Sequence, residues 1–403
     1  MVGAGSLNKI LAFSYTVFLV RILDKHDYGI YGYVMNIIAM FMIFDGLGGN
    51  NAYLQFGSAA SSVHEREAYF RYNKRRGIIA DLCMSVVIVG YAYFLIPDTE
   101  AGKLLMLAAF LPASAYLLSL FQIDNIVRRN NRTYSWLMTF NAAILMAGTL
   151  VGAYLWGPVG MIVMRYLATG ISVICASIMC RRPSAVRVDG LPRLQVTEKR
   201  QFDKFALITM CNNGISAMTG MIDIYLIGLI MDDMYAVADY RTASIIPMAL
   251  LFISSTLMTF LYPYFAEKKE DPVWVRHNYI RLLKIIIPFF LILSVSLILV
   301  GPFLIPLVFG DRYTDSVPLF TIICCGLFFA TAFKIPAGNL IAAMGKVKIN
   351  FYIAVGSGLF NILSSVILIT SLGLYGAAIS YMGILMLTGI TNTICMFRLL
   401  KRR

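Results

Sequence analysis

A handful of ionisable side chains stand where a charge is hardest to keep. Asp45, Asp223 and Arg165 lie inside long apolar stretches, Arg21 and Arg241 flank the outer ends of two others, and Asp81 and Lys334 sit near the inner ends of two more. An ionisable group near the middle of a bilayer costs ~2.5–3.5 kcal/mol on insertion scales, so these are the first candidates for function. Guanidinium forks fit phosphate oxygens bidentately. Arg21, Arg165 and Arg241 are therefore candidate ligands for an anionic head group. Asp45 and Asp223, one in each half of the chain, are candidates to take up a coupling ion, H+ or Na+. Asp81 and Lys334 are secondary candidates. The plainer alternative for Arg21, Arg241, Asp81 and Lys334 is that they snorkel to an interface and anchor helix ends.

Bond-making chemistry finds little support. The three histidines, His26, His64 and His277, fall in separate polar segments, so there is no metal-ligand cluster and no Ser/His/Asp set. Asp24-Lys25-His26-Asp27 offers paired acids in one short turn. A four-residue spread of this kind reads first as solvated helix-end charge and only second as a catalytic pair. The seven cysteines lie in or beside apolar runs, so no disulfide framework is expected. No cofactor is expected beyond the coupling ion. The basic run at residues 71–76 reads as contact with anionic lipid and as a topology signal.

The elements that must position these residues follow from composition. Of 403 residues, 59% are hydrophobic and 14% charged, against ~25% charged in soluble proteins. Twelve membrane helices of ~20 residues would use about 240 apolar residues, close to what this chain holds. A soluble enzyme has nowhere dry to put so much apolar area. Apolar runs predict spans near 5–23, 30–56, 77–96, 103–122, 136–155, 158–180, 204–231, 237–262, 283–305, 317–337, 349–370 and 374–397. Asp45 stays inside the second span, because ending that span at Phe44 leaves about 15 residues, too few to cross a ~30 Å core. No cleaved signal is expected, since Arg21 interrupts the first run and no small-x-small site follows it.

With the N-terminus inside, 27 of the 34 basic residues fall in cytoplasmic segments. The positive-inside rule then predicts N-in, C-in and an even span count. The net charge of +13 reports topology rather than nucleic-acid binding.

The longest polar connection, 181–203, divides the chain into lobes 1–180 and 204–403. Both begin on the same side, so any repeat is parallel, about an axis along the membrane normal. Gly157-Pro158-Val159-Gly160 and Gly373-Leu374-Tyr375-Gly376 recur in the turns between spans five and six and between eleven and twelve. Phe140-Asn141 and Phe360-Asn361 recur one span earlier, and the turn Asp27-Tyr28-Gly29-Ile30-Tyr31 after the first span resembles Ala236-Val237-Ala238-Asp239-Tyr240 after the seventh. Two pseudo-symmetric six-helix bundles rocking about a substrate is an alternating-access plan.

Leu19-Val20-Arg21-Ile22-Leu23, Asp27-Tyr28-Gly29-Ile30-Tyr31 and Phe44-Asp45-Gly46-Leu47-Gly48 together resemble the opening of Wzx-type polysaccharide flippases, members of the MOP (MATE-like) exporter superfamily. Asp239-Tyr240-Arg241-Thr242-Ala243, Phe309-Gly310-Asp311-Arg312-Tyr313 and Gly373-Leu374-Tyr375-Gly376-Ala377-Ala378 continue the likeness along nearly the whole chain. The resemblance implies an all-α polytopic membrane protein of twelve transmembrane helices in two lobes. It implies a multi-pass protein of the bacterial cytoplasmic (inner) membrane that moves undecaprenyl-diphosphate-linked oligosaccharide repeat units from inner to outer leaflet by ion-coupled antiport. Its partners would be that substrate, membrane lipids, and a polysaccharide polymerase with assembly proteins. Arg21 and Asp45 fit the family's charged positions in spans one and two, while Arg165 rests on depth alone. The rivals are a multidrug cation antiporter on the same scaffold and a membrane glycan polymerase or glycosyltransferase using Asp24 or Asp27.

Overall fold

The structure is a computed structural model that describes residues 14–96, 99–179, 194–218 and 220–401. Every regular element among them is helical. The chain splits into two compact units, Met1–Ala217 and Met218–Arg403.

In the first unit, α1 occupies residues 14–22. Asp24 then caps α2 (Lys25–Phe41), its carboxylate accepting the Asp27 amide at 2.8 Å. A 3-10 stretch, Met42–Gly48, separates α2 from α3 (Gly49–Ala59). Ser62 opens α4 (Val63–Leu95), accepting the Glu65 amide at 3.1 Å while the Glu65 carboxylate accepts the Ser61 amide at 2.9 Å, a reciprocal cap that satisfies two orphan donors. There follow α5 (Thr99–Ala108), α6 (Leu111–Val127), α7 (Asn131–Met179) and α8 (Val196–Met218).

A continuous α7 would be ~74 Å long at 1.5 Å per residue. It is instead broken at Trp156 (φ −139°, ψ 20°) and Gly157 (φ 57°, ψ −140°). Beyond the break, a side chain on Gly160 would collide with the Gly152 carbonyl. Residues eight apart in a straight helix stand ~12 Å apart, so α7 folds back on itself. Tyr53, Phe70, Tyr116 and Leu120 form the buried core with Phe202 and Ala206 of α8. The described residues from Leu194 to Ala217 therefore pack with the first unit, and 180–193, most of the expected linker, lie outside the described residues.

The second unit contains α9 (Ile222–Met231), α10 (Met234–Glu267), α11 (Pro272–Phe309), α12 (Ser316–Phe329), a π turn (Ala330–Lys334), α13 (Ile335–Ala343), α14 (Val347–Leu372) and α15 (Leu374–Lys401). Its core gathers Tyr279, Phe290, Leu340 and Met396. Gly373, between α14 and α15, has φ 57° and ψ −135°, nearly the angles of Gly157. Gly376 lies against the Leu368 carbonyl as Gly160 lies against that of Gly152. The two hairpins thus share one backbone design at a constant offset of 216 residues, and only glycine tolerates both the positive φ and the close approach.

Among the described residues, nine helices are long and apolar enough to cross a membrane, and the fold-back in α7 makes one of them two crossings. Of the twelve spans expected, the first lies largely outside the described residues, and the seventh is parted between α8 and α9. Large apolar side chains such as Phe94, Tyr154 and Phe303 are 79%, 81% and 77% exposed, the pattern of a surface facing lipid. The chain is a multi-pass helical membrane protein.

Candidate functional site

In the second unit, the turn at Gly220 and Met221 places Asp223 in the first turn of α9. The partial positive charge of a helix N-terminus favours a carboxylate there. Asp223 is 1% exposed. It accepts the Ser365 hydroxyl at 2.7 Å and the Tyr240 hydroxyl at 3.3 Å, and the Asn361 amide also reaches it. Ser380 lies 2.9 Å from the Ser365 oxygen. Four helices therefore converge on one carboxylate with an all-oxygen and amide lining. Oxygen donors of this kind suit a proton or a hard monovalent cation. Among the described residues no group of three or more His, Cys, Asp or Glu side chains could hold a metal ion.

In the first unit, Arg165 is half-buried on α7 and donates from Nη1 to the Tyr31 hydroxyl at 3.1 Å. Tyr15 lies beside Tyr31, Thr149 and Arg165. This seating is aromatic and hydroxyl-lined, and among the described residues it pairs no acid with the guanidinium.

Asp45 and Asp81 come together. Asp45 lies in the 3-10 stretch with non-helical φ −46° and ψ 121°, and Asp81 on α4 is 0% exposed. Their carboxyl groups are within hydrogen-bonding reach of each other. Asp81 also accepts the Gly46 amide at 2.9 Å. The second span, expected to run through Asp45, does so with a break in its helix. Gly46, Leu47 and Gly48 form a run of left-handed residues with φ 48°, 47° and 71°.

Arg21 stands exposed near the end of α1, and Arg241 is half-buried in α10, in the other unit. Lys334 closes the π turn, whose altered register leaves the Thr331 carbonyl to accept the Ser254 hydroxyl at 2.8 Å. The Asn392 amide donates to the Lys334 carbonyl at 3.3 Å. Asp24 serves as a helix cap, as its place in the sequence suggested.

Within the basic run at 71–76, Arg71 and Arg76 have protein partners, whereas Lys74 and Arg75 are exposed. Arg71 pairs with Glu67 at 3.4 Å. Arg76 pairs with Asp203 at 2.8 Å and donates to the Gly46 and Leu47 carbonyls at 2.9 and 3.3 Å. Sequence reasoning also passed over Tyr31, Tyr240, Ser365 and Ser380, which are uncharged and carry no depth penalty to mark them. Asn361 was visible only as half of the repeated Phe-Asn pair.

Comparison with known proteins places this multi-pass helical membrane fold. The model of the polysaccharide biosynthesis protein family matches residues 18–318, and the chain belongs to that family. The lipopolysaccharide biosynthesis protein WzxC of Escherichia coli (strain K12) is 26% identical over 159 residues, which span 38% of this chain and 30% of that protein's length. The solved structure of the lipid II flippase MurJ in an inward closed conformation is similar, with a TM-score of 0.77 at 14% identity over 99% of this chain and 86% of that one. An inward-facing multidrug resistance MATE family transporter of the MOP superfamily gives a TM-score of 0.76 at 12% identity over 98% of this chain and 95% of that one. At these identities the structural likeness defines the fold.

Proposed function

We propose that this protein is a flippase that carries undecaprenyl-diphosphate-linked oligosaccharide repeat units from the inner to the outer leaflet of the bacterial cytoplasmic membrane. No bond is made or broken. The candidate diphosphate ligands are Arg21 and Arg165 in the first unit and Arg241 in the second, and uptake of H+ or Na+ at Asp223 and Asp45 drives alternating access. The observation that carries this reading is the pair of opposite charges seated within apolar helices, Arg165 on Tyr31 and Asp223 on Ser365 and Tyr240, in a member of the polysaccharide biosynthesis family. A polysaccharide polymerase and assembly proteins acting on the same repeat unit are its expected partners.

The test is a deletion strain. Loss of surface glycan with buildup of inner-leaflet lipid-linked repeat units is expected, and normal glycan display without buildup overturns the reading. A second reading, a multidrug cation antiporter, draws on the MATE-like fold and on the lone carboxylate at Asp223. It requires that overexpression change susceptibility to cationic drugs.

A further inference from the structure

The break in the second span is clamped entirely from α4. Asp81 takes the Gly46 N–H and Arg76 takes the Gly46 and Leu47 carbonyls. The left-handed run is therefore held at both its donor and its acceptors. Tyr116 of α6 packs against Gly46, where any β-carbon would collide with its ring, and donates to the Asn73 carbonyl at 2.8 Å.

Asp45 meets Asp81 inside this clamp. Asp45 Oδ1 and Asp81 Oδ2 are both closed off from solvent and accept no hydrogen bond from any donor among the described residues. Among the described residues no uncommitted cation neutralises two charges there. Arg76 is committed to Asp203 and to the carbonyls, and the Tyr72 hydroxyl donates to Asp203 at 2.7 Å. The titratable or charged groups facing the pair are thus Arg76 from α4, Tyr116 from α6 and, behind Arg76, Asp203 from α8. The charged residues of α2 are confined to its first turn, and α3 carries none. Two carboxylates this close in a poorly solvated site cannot both ionise.

We propose that Asp45 and Asp81 share one proton, and that this proton holds the Gly46-Leu47-Gly48 break in its clamped form. With the proton present, one carboxyl donates to the other and Asp81 keeps the Gly46 amide. Once it leaves, two negative charges repel, Asp81 is drawn off the amide, and the second span is free to change its bend. This deepens the coupling reading, committing the first unit to H+, and rests on that reading only for its role in transport.

The test is hydrogen–deuterium exchange of the full chain in lipid nanodiscs, read as protection factors over residues 42–50 and corrected for intrinsic rate. In the wild-type protein, protection of the Gly46 amide is expected to fall about tenfold or more from mildly acidic to mildly alkaline pH, the effect of one unit of proton-linked free energy. Asp81→Asn retains an acceptor for Gly46 and a donor for Asp45, so its protection stays high and flat with pH. Asp45→Asn is likewise flat. Asp81→Ala lacks both groups and is low and flat. A flat wild-type profile, or a wild-type slope surviving in Asp45→Asn or Asp81→Asn, overturns the proposal. No substrate enters the measurement, so its failure is separable from failure of the flippase reading, which the deletion strain decides.

Discussion

Replacing Asp223 with Asn separates a coupling role from a structural one, because the local energies nearly cancel. The carboxylate accepts from Ser365 at 2.7 Å and more weakly from Tyr240 at 3.3 Å. Hydrogen bonds to a charged group contribute about 1.5–3 kcal/mol each, and the helix N-terminus adds about 0.3–1 kcal/mol. The loss is then about 3–7 kcal/mol. Against it stands release of the desolvation penalty of a fully buried carboxylate, which is several kcal/mol. Asn also retains one carbonyl acceptor for Ser365. The net change in stability is small, and membrane abundance of Asp223→Asn should stay within about twofold of wild type. Transport should not survive, because an amide holds neither a proton nor a cation. Even a modest loss of ion attraction of about 1.4 kcal/mol lowers occupancy tenfold. The assay is complementation of a deletion strain, with surface glycan and inner-leaflet repeat units quantified against the amount of protein in the membrane. Wild-type transport at equal abundance would refute the coupling assignment, and loss of the protein would refute the energy balance.

Arg165→Lys keeps the charge but loses the planar fork, so transport should drop about tenfold, and Arg165→Gln should abolish it at unchanged abundance in the same assay. Gly376→Ala would press a methyl group into the Leu368 carbonyl and should lower stability by about 1–3 kcal/mol, seen as a reduced melting temperature in detergent. Gly170→Ala, with open space around it, serves as the neutral control. Ser254→Ala leaves the Thr331 carbonyl of the π turn unsatisfied and should cost about 1–3 kcal/mol by the same thermal measurement. Asp24→Asn with Asp27→Asn should retain full transport, since Asn caps a helix as well as Asp; lost function would revive the enzymatic reading.

Much of the fold was legible because a bilayer penalises polarity so steeply that hydropathy alone marks helices. The turn at Gly157 and Gly160 and its copy at Gly373 and Gly376 were legible for a different reason, since positive φ and backbone contact leave only glycine. The acidic candidates were legible by cost, but their partners were not. Serine, tyrosine and asparagine hydroxyls and amides are cheap in a helix, as Ser365 and Asn361 illustrate. Arg76 was misread because charge counting treats every basic residue at a span end alike. Its commitment to Asp203, more than a hundred residues away, is a tertiary fact with no local pattern. The meeting of Asp45 with Asp81 was hidden similarly, since the depth of each residue was readable but the helix face was not.

The constant offset of 216 residues gives a sharper comparison than the sequence repeat did. It pairs Thr149 with Ser365 and Arg165 with Tyr381. In the first unit, Tyr15 of the first span lies beside Thr149, Tyr31 and Arg165. In the second, Asp223 of the seventh span lies against Ser365 and Tyr240, with Tyr381 close by. The hydroxyl is retained on the helix before each hairpin and a tyrosine contributes to each nest, so the scaffold of the two seats is common. The charge is not: one seat carries a guanidinium and the other a carboxylate, on different helices of the repeat. Among the described residues each seat holds one sign of charge, which attracts ligands of the opposite sign. Two halves that diverged in this way present a guanidinium in one seat and a carboxylate in the other, and this pair of seats suits the proposed exchange of an anionic lipid against an inward cation gradient.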